Sequence, residues 1–122
     1  MGVLARILVA MVALLHFGFL VLEMFLWTGS IGQGVFGMTP EFADQSAALA
    51  ANQGLYNGFL AVGLLWGAVR TSREFMIFFL LCVIVAGIYG GLTAKMSILY
   101  IQAVPGLIAL LAVLAAKSRT HG

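Results

Sequence analysis

Charge is what this chain has least of. Four acids and six bases make up 8% of its 122 residues, where an average soluble domain carries roughly a quarter. So little charge beside 63% hydrophobic residues and a mean hydropathy of +1.13 excludes a soluble globule. The net charge of +2 is scattered, so no basic patch is available for nucleic acid. A single cysteine, Cys82, lies inside an apolar run, which excludes an internal disulfide framework and leaves it as a small buried hydrophobe. Catalytic signatures are missing too: there is no CxxC, no HExxH, no hydrolase triad and no pair of facing acids. His16 and Glu23 alone are too few for an ordinary zinc site, and no cofactor is expected. An enzyme built on Glu23, His16, Tyr56 and Asn57 is conceivable, but nothing specifies its reaction. The N-terminus lacks the marks of a cleaved signal peptide, since only Arg6 precedes a long apolar run that has no small-residue cleavage site.

What remains is apolar sequence of membrane-spanning length. Four segments, about 4–27, 46–69, 75–92 and 98–116, approach or exceed the roughly 20 residues that cross hydrocarbon. Thr39-Pro40-Glu41 is a helix start, with a cap, proline at the first helical position and an acid in the first turn. The second helix is therefore expected to extend outward to about residue 40 and to reach Arg70. Ser72 is a candidate cap for the third. Short connections between helices two, three and four make antiparallel neighbours. The fold expected is an all-α integral membrane protein, an antiparallel four-transmembrane-helix bundle in a single domain. Glycines spaced four apart (Gly54/Gly58, Gly63/Gly67, Gly87/Gly91) suit close helix approach.

Arg6, Arg70, Arg73, Lys117 and Arg119 fall on one side of four alternating spans, and Lys95 on the other. That bias puts both termini in the cytoplasm, N-in/C-in. The 28–45 connection then faces outward, and Phe36 and Met38 suggest a flexible loop resting on the membrane interface. It contains Gly32-Gln33-Gly34-Val35-Phe36-Gly37, a formal GxGxxG match, but no strand precedes it and no βαβ unit could surround it. Trp27, Trp66 and Tyr100 read as interface anchors.

The polar residues inside the spans are concentrated at one depth. Counting inward from the outer boundary at 1.5 Å per residue, Glu23, Asn52, Gln53, Tyr56, Asn57, Tyr89 and Gln102 fall in the outer half, with His16 nearer the middle. His16 and Glu23, seven apart, differ by about 20° and share a face, while Asn52 over Tyr56 and Gln53 over Asn57 form two stacks across about 140°. Pro105 cannot donate to the Ile101 carbonyl, which leaves an acceptor beside Gln102. These groups can form one cluster open to the outside, because carboxamides in hydrocarbon are costly unless partnered. They can equally serve as interhelical hydrogen bonds alone. Glu23 can pair with Lys95 at the interface, or sit among the amides and exchange protons; His16 reads first as a hydrogen-bonded packing residue.

The motifs Leu22-Glu23-Met24-Phe25-Leu26-Trp27, Phe36-Gly37, Pro40-Glu41-Phe42, Asn52-Gln53-Gly54-Leu55-Tyr56-Asn57-Gly58-Phe59-Leu60 and Gly87-Ile88-Tyr89-Gly90 resemble a family of small bacterial four-span membrane proteins. It is catalogued as domain of unknown function 1304. The resemblance covers essentially the whole chain and implies a multi-pass protein of the bacterial inner membrane, with no activity to transfer. Three functions follow as expectations. The first is binding of a membrane lipid or small amphiphile (quinone- or isoprenoid-like) at the polar cluster. The second is proton-coupled export, loosely similar to small multidrug-resistance transporters; the off-centre acid and the charge bias disagree with it. The third is a structural or assembly role without a ligand. A chain this small also admits a homodimer.

Overall fold

The structure, a computed structural model, describes residues 2–116, and within them all regular structure is helical. Five helices follow one another: α1 (Val3–Met24), α2 (Ser30–Phe36), α3 (Pro40–Arg70), α4 (Arg73–Thr93) and α5 (Met96–Ala115). Of these, α1, α4 and α5 are long and apolar enough to cross a membrane. At 31 residues α3 is the longest, yet it lacks their apolarity. The shortfall comes from Asn52, Gln53, Tyr56 and Asn57, the polar residues at its centre. The basic residues Lys117 and Arg119, used above for orientation, lie outside the described residues.

Helix boundaries follow local chemistry. The Thr39 hydroxyl accepts from the Phe42 N–H at 3.2 Å, and α3 starts at Pro40, as its capping residues require. Ser72 likewise accepts from the Phe75 N–H at 3.4 Å to open α4. Between them Thr71 takes the left-handed conformation (φ 53°), and the Ser72 N–H returns to the Gly67 carbonyl at 2.8 Å, closing α3 with a Schellman turn.

Two boundaries differ from expectation. The first span ends at Met24, not Trp27: the Leu26 N–H bonds back to the Val21 carbonyl at 3.2 Å and the chain turns out of the helix. The 28–45 connection is not a bare loop either, because Ser30–Phe36 forms α2, closed by Gly37 at φ 63°. The formal GxGxxG match thus lies on a short helix and its cap. Trp27 is drawn into this connection. Its indole N–H donates to the Ser46 hydroxyl at 2.9 Å, and its ring packs on Phe36 with centroids 4.8 Å apart. Gly32 makes the fold-back possible, since a Cβ there would collide with the backbone of Leu26 and Trp27.

Contacts divide the described residues into two compact units, one of residues 14–61 and the other of residues 2–13 with 62–116. In the second unit α4 and α5 meet at Gly87, where a Cβ would come within 2.8 Å of the Ala103 backbone nitrogen. Gly91 against Leu99 and Gly106 against Val83 extend that seam, as expected for small residues at helix contacts. Just before Pro105, Leu99–Ala103 widens into a π-helical turn in which the Val104 N–H bonds to the Leu99 carbonyl. The proline foresaw a disturbed ladder here; the structure supplies its form, a π-bulge.

Candidate functional site

The site is built from the C-terminal half of α1 and the middle of α3, both inside the 14–61 unit. Within this unit the buried residues of α3 are Ala43, Ala50, Gly54, Asn57, Gly58 and Ala61, which apart from the adjacent Asn57 and Gly58 recur at three, four or seven residues, so one seam of the helix faces inward. Asn57 is the polar member of that seam and is 8% exposed. The flanking glycines set how closely α1 comes. A Cβ on Gly54 would lie 2.7 Å from Met24 Cγ and 3.3 Å from the Leu20 carbonyl oxygen; one on Gly58 would lie 2.7 Å from Leu20 Cδ1. At that separation the Asn57 side-chain amide donates to Glu23 Oε1 at 2.6 Å. A carboxylate and a carboxamide in an apolar segment thus satisfy each other, which lowers the cost of keeping both away from water.

His16 lies on the same face of α1, fully buried, with its ring edge-on to Phe19 at 5.0 Å. The seven-residue spacing of His16 and Glu23 therefore delivers both to the inward side. The other α3 candidates do not join them. Asn52, Gln53 and Tyr56 are exposed, Tyr56 with its ring edge-on to Phe59 at 5.5 Å. They form a polar strip beside the Glu23–Asn57 pair on the same turns of α3.

Tyr89 and Gln102 belong to the other unit. Tyr89 is exposed, and its backbone carbonyl accepts from the Thr93 hydroxyl at 2.6 Å. Gln102 is buried and donates to the Val83 carbonyl at 3.1 Å, beside the Gly87–Ala103 contact. Its role there is to tie α5 to α4.

Two groups escaped the sequence reading. Ser46 receives the Trp27 indole and donates to the Phe42 carbonyl at 2.7 Å; a lone hydroxyl near a helix start gave no signal of this. Arg6 was read for orientation alone, yet its Nε donates to the Ala68 carbonyl at 2.8 Å and links the start of α1 to the end of α3.

Charge is unevenly shared. Residues 14–61 contain Glu23, Glu41 and Asp44 with no lysine or arginine, whereas the remaining sequence holds all six bases and Glu74. The unit that carries the site therefore offers no lysine or arginine to an anion. Among the described residues no group of three or more His, Cys, Asp or Glu could hold a metal ion.

The class these features define is a small protein, helical throughout its described residues, with three helices of membrane-crossing length and apolarity and a carboxylate–carboxamide pair joining the first of them to α3. Within that class, the chain belongs to the family described as Protein of unknown function (DUF1304), whose model matches residues 10–114. The resemblance read from the motifs is thereby confirmed. The chain is also similar to "Uncharacterized protein YpaA" of Lactococcus lactis subsp. lactis (strain IL1403), at 32% identity over 115 residues, 91% of this chain and 97% of that protein. No solved structure matches the chain significantly.

Proposed function

We propose that the protein crosses the bacterial cytoplasmic membrane four times, with both termini inside, and binds a small amphiphile whose head meets the Glu23–Asn57 pair and the neighbouring strip of Asn52, Gln53 and Tyr56. The fourth crossing is α3. At 31 residues it is about 45 Å long, ample for a roughly 30 Å hydrocarbon layer. The charges favour it, since without that crossing Arg70 and Arg73 would lie opposite Arg6. The observation that carries the binding reading is the 2.6 Å Asn57–Glu23 bond on a seam adjoining exposed carboxamides. Placed hydrogen-bonding groups between apolar walls are the usual composition of a small-molecule site. With no lysine or arginine in the unit, the head is neutral or cationic, as in a quinone, an isoprenol or an alkylamine.

Saturable binding of such a compound to the purified protein in a neutral detergent, read by quenching of tryptophan fluorescence or by native mass spectrometry, tests this. Asn57→Ala should weaken binding at least tenfold. Absence of saturable binding for a quinone, an isoprenol and an alkylamine alike would reject the reading.

A second reading is a structural or assembly protein in which the pair fixes how α1 and α3 pack. The mutual satisfaction of Glu23 and Asn57 favours it. Under that reading Asn57→Ala lowers stability and leaves no ligand-dependent readout to lose.

A further inference from the structure

We propose that the groove between the start of α1 and the end of α3 binds an anionic phospholipid, with Arg6 holding its phosphate. The groove lies wholly within one unit and is lined by Val3, Ile7 and Ala10 from α1 and by Leu65 and Val69 from α3, with Arg6 on its wall. Val3, Ile7 and Ala10 recur at helical spacing, as do Leu65 and Val69, so both walls are apolar lanes running along the helix axes. They are open lanes: Val3 is 67% exposed, Ile7 50% and Val69 65%.

Arg6 gives this lane a polar group on its wall, between Val3 and Ile7. Its Nε is fixed on the Ala68 carbonyl at 2.8 Å, one of the last carbonyls of α3, which lack helical partners. That bond spends one nitrogen and orients the rest of the guanidinium. Its two terminal nitrogens bond to nothing among the described residues. A planar fork already held by its third nitrogen suits bidentate contact with a phosphate. Across the ridge formed by Leu65 and Val69 lies a second apolar groove, which ends at Arg70 and is flanked by Trp66. Neither lining contains an acid, and Glu74 is the single acid in this unit's sequence.

An apolar lane with a guanidinium on its wall matches a phosphodiester joined to an acyl chain, and it matches neither component alone. Anionic lipids of the cytoplasmic leaflet supply that chemistry where basic side chains flank a span. The placement rests on the four-crossing topology proposed above; the binding itself does not, and it is measurable in detergent.

The experiment is titration of the purified full chain in a neutral maltoside detergent with phosphatidylglycerol, phosphatidylcholine or inorganic phosphate, read by native mass spectrometry and by melting temperature. Phosphatidylglycerol should bind at least ten times more tightly than phosphatidylcholine, and inorganic phosphate should not compete at millimolar concentration. Arg6→Gln should reduce phosphatidylglycerol to the phosphatidylcholine level, while Arg70→Gln keeps most of the preference. Ala10→Trp, which fills the lane and leaves Arg6 in place, should cause the same loss as Arg6→Gln and covers a failure of that variant to fold. Equal affinity for the two lipids, unchanged binding in Ala10→Trp, or an equal loss in Arg70→Gln would overturn the proposal. The last result would mean diffuse charge attraction, and competition by phosphate would mean a simple ion site.

Discussion

Asn57 donates to Glu23 at 2.6 Å from a turn of α3 bracketed by Gly54 and Gly58. The bond and the glycines depend on one another. A Cβ at Gly54 would press on Glu23 Cβ and the Leu20 carbonyl, so α1 would stand further off and the amide would fall short of the carboxylate. With glycine there, the two polar side chains meet and each is the other's partner.

Removing both members should therefore cost less than the sum of removing each. Asn57→Ala strands a half-buried acid, at about 1–3 kcal/mol, whereas Glu23→Gln keeps an acceptor for the Asn57 amide and should cost under about 1 kcal/mol. A double-mutant cycle with Glu23→Ala and Asn57→Ala, read by unfolding in mixed detergent micelles, should give a coupling of about 1–2 kcal/mol. Additive single losses would show that the bond contributes nothing to stability.

Two glycines that look alike in sequence should respond differently. A Cβ at Gly58 meets the tip of Leu20, 2.7 Å away, and that flexible end can swing aside. At Gly87 the same atom meets the Ala103 backbone, with its nitrogen at 2.8 Å and Cα at 3.1 Å. Gly58→Ala should fall within about 1 kcal/mol of the parent, the clash being offset by better helix propensity. Gly87→Ala should lose about 1–3 kcal/mol, because α4 and α5 must part and Gln102 then leaves the Val83 carbonyl. Thermal melting of both variants in one detergent decides the matter.

How far these features can be read from sequence depends on whether they are local. Thr39-Pro40 and Ser72 announce helix starts because capping involves only neighbouring residues, and both are where they were expected. Depth and helical period put Glu23 and Asn57 in one cluster without singling out the bond between them. The wider cluster does not form, because Asn52 over Tyr56 and Gln53 over Asn57 span too broad an arc for one inward seam. The glycines held the missing clue: Gly54 and Gly58 mark the face of closest approach, and Asn57 shares it while Asn52, Gln53 and Tyr56 do not. Helix α2 was missed for a related reason. Seven residues with two glycines carry almost no helical propensity, and the contact of Trp27 with Phe36 and Ser46 that accompanies it is tertiary.

Thr71 is a local strain that can be relieved. It occupies the left-handed cap position at φ 53°, where a β-branched side chain is disfavoured and glycine is at ease. Thr71→Gly should raise stability by about 1 kcal/mol, provided the Ser72 N–H keeps its bond to the Gly67 carbonyl. A lower melting temperature in this variant would mean that the threonine side chain contributes more than its backbone costs.

Whether α3 crosses the membrane has a direct topological consequence. If it does, the connection holding α2 and the turn holding Ser72 lie on opposite faces of the membrane; if it lies along the surface, they lie on the same face. Single cysteines at Gly34, Ser72 and Lys95 in a Cys82→Ser background separate the two cases by labelling with an impermeant maleimide in intact cells. The bias of Arg6, Arg70 and Arg73 against Lys95 predicts labelling at positions 34 and 95 and protection at 72 until the cells are opened. Labelling of 34 and 72 together would place α3 on the surface, and the carboxamides at its centre would then need no partners within hydrocarbon.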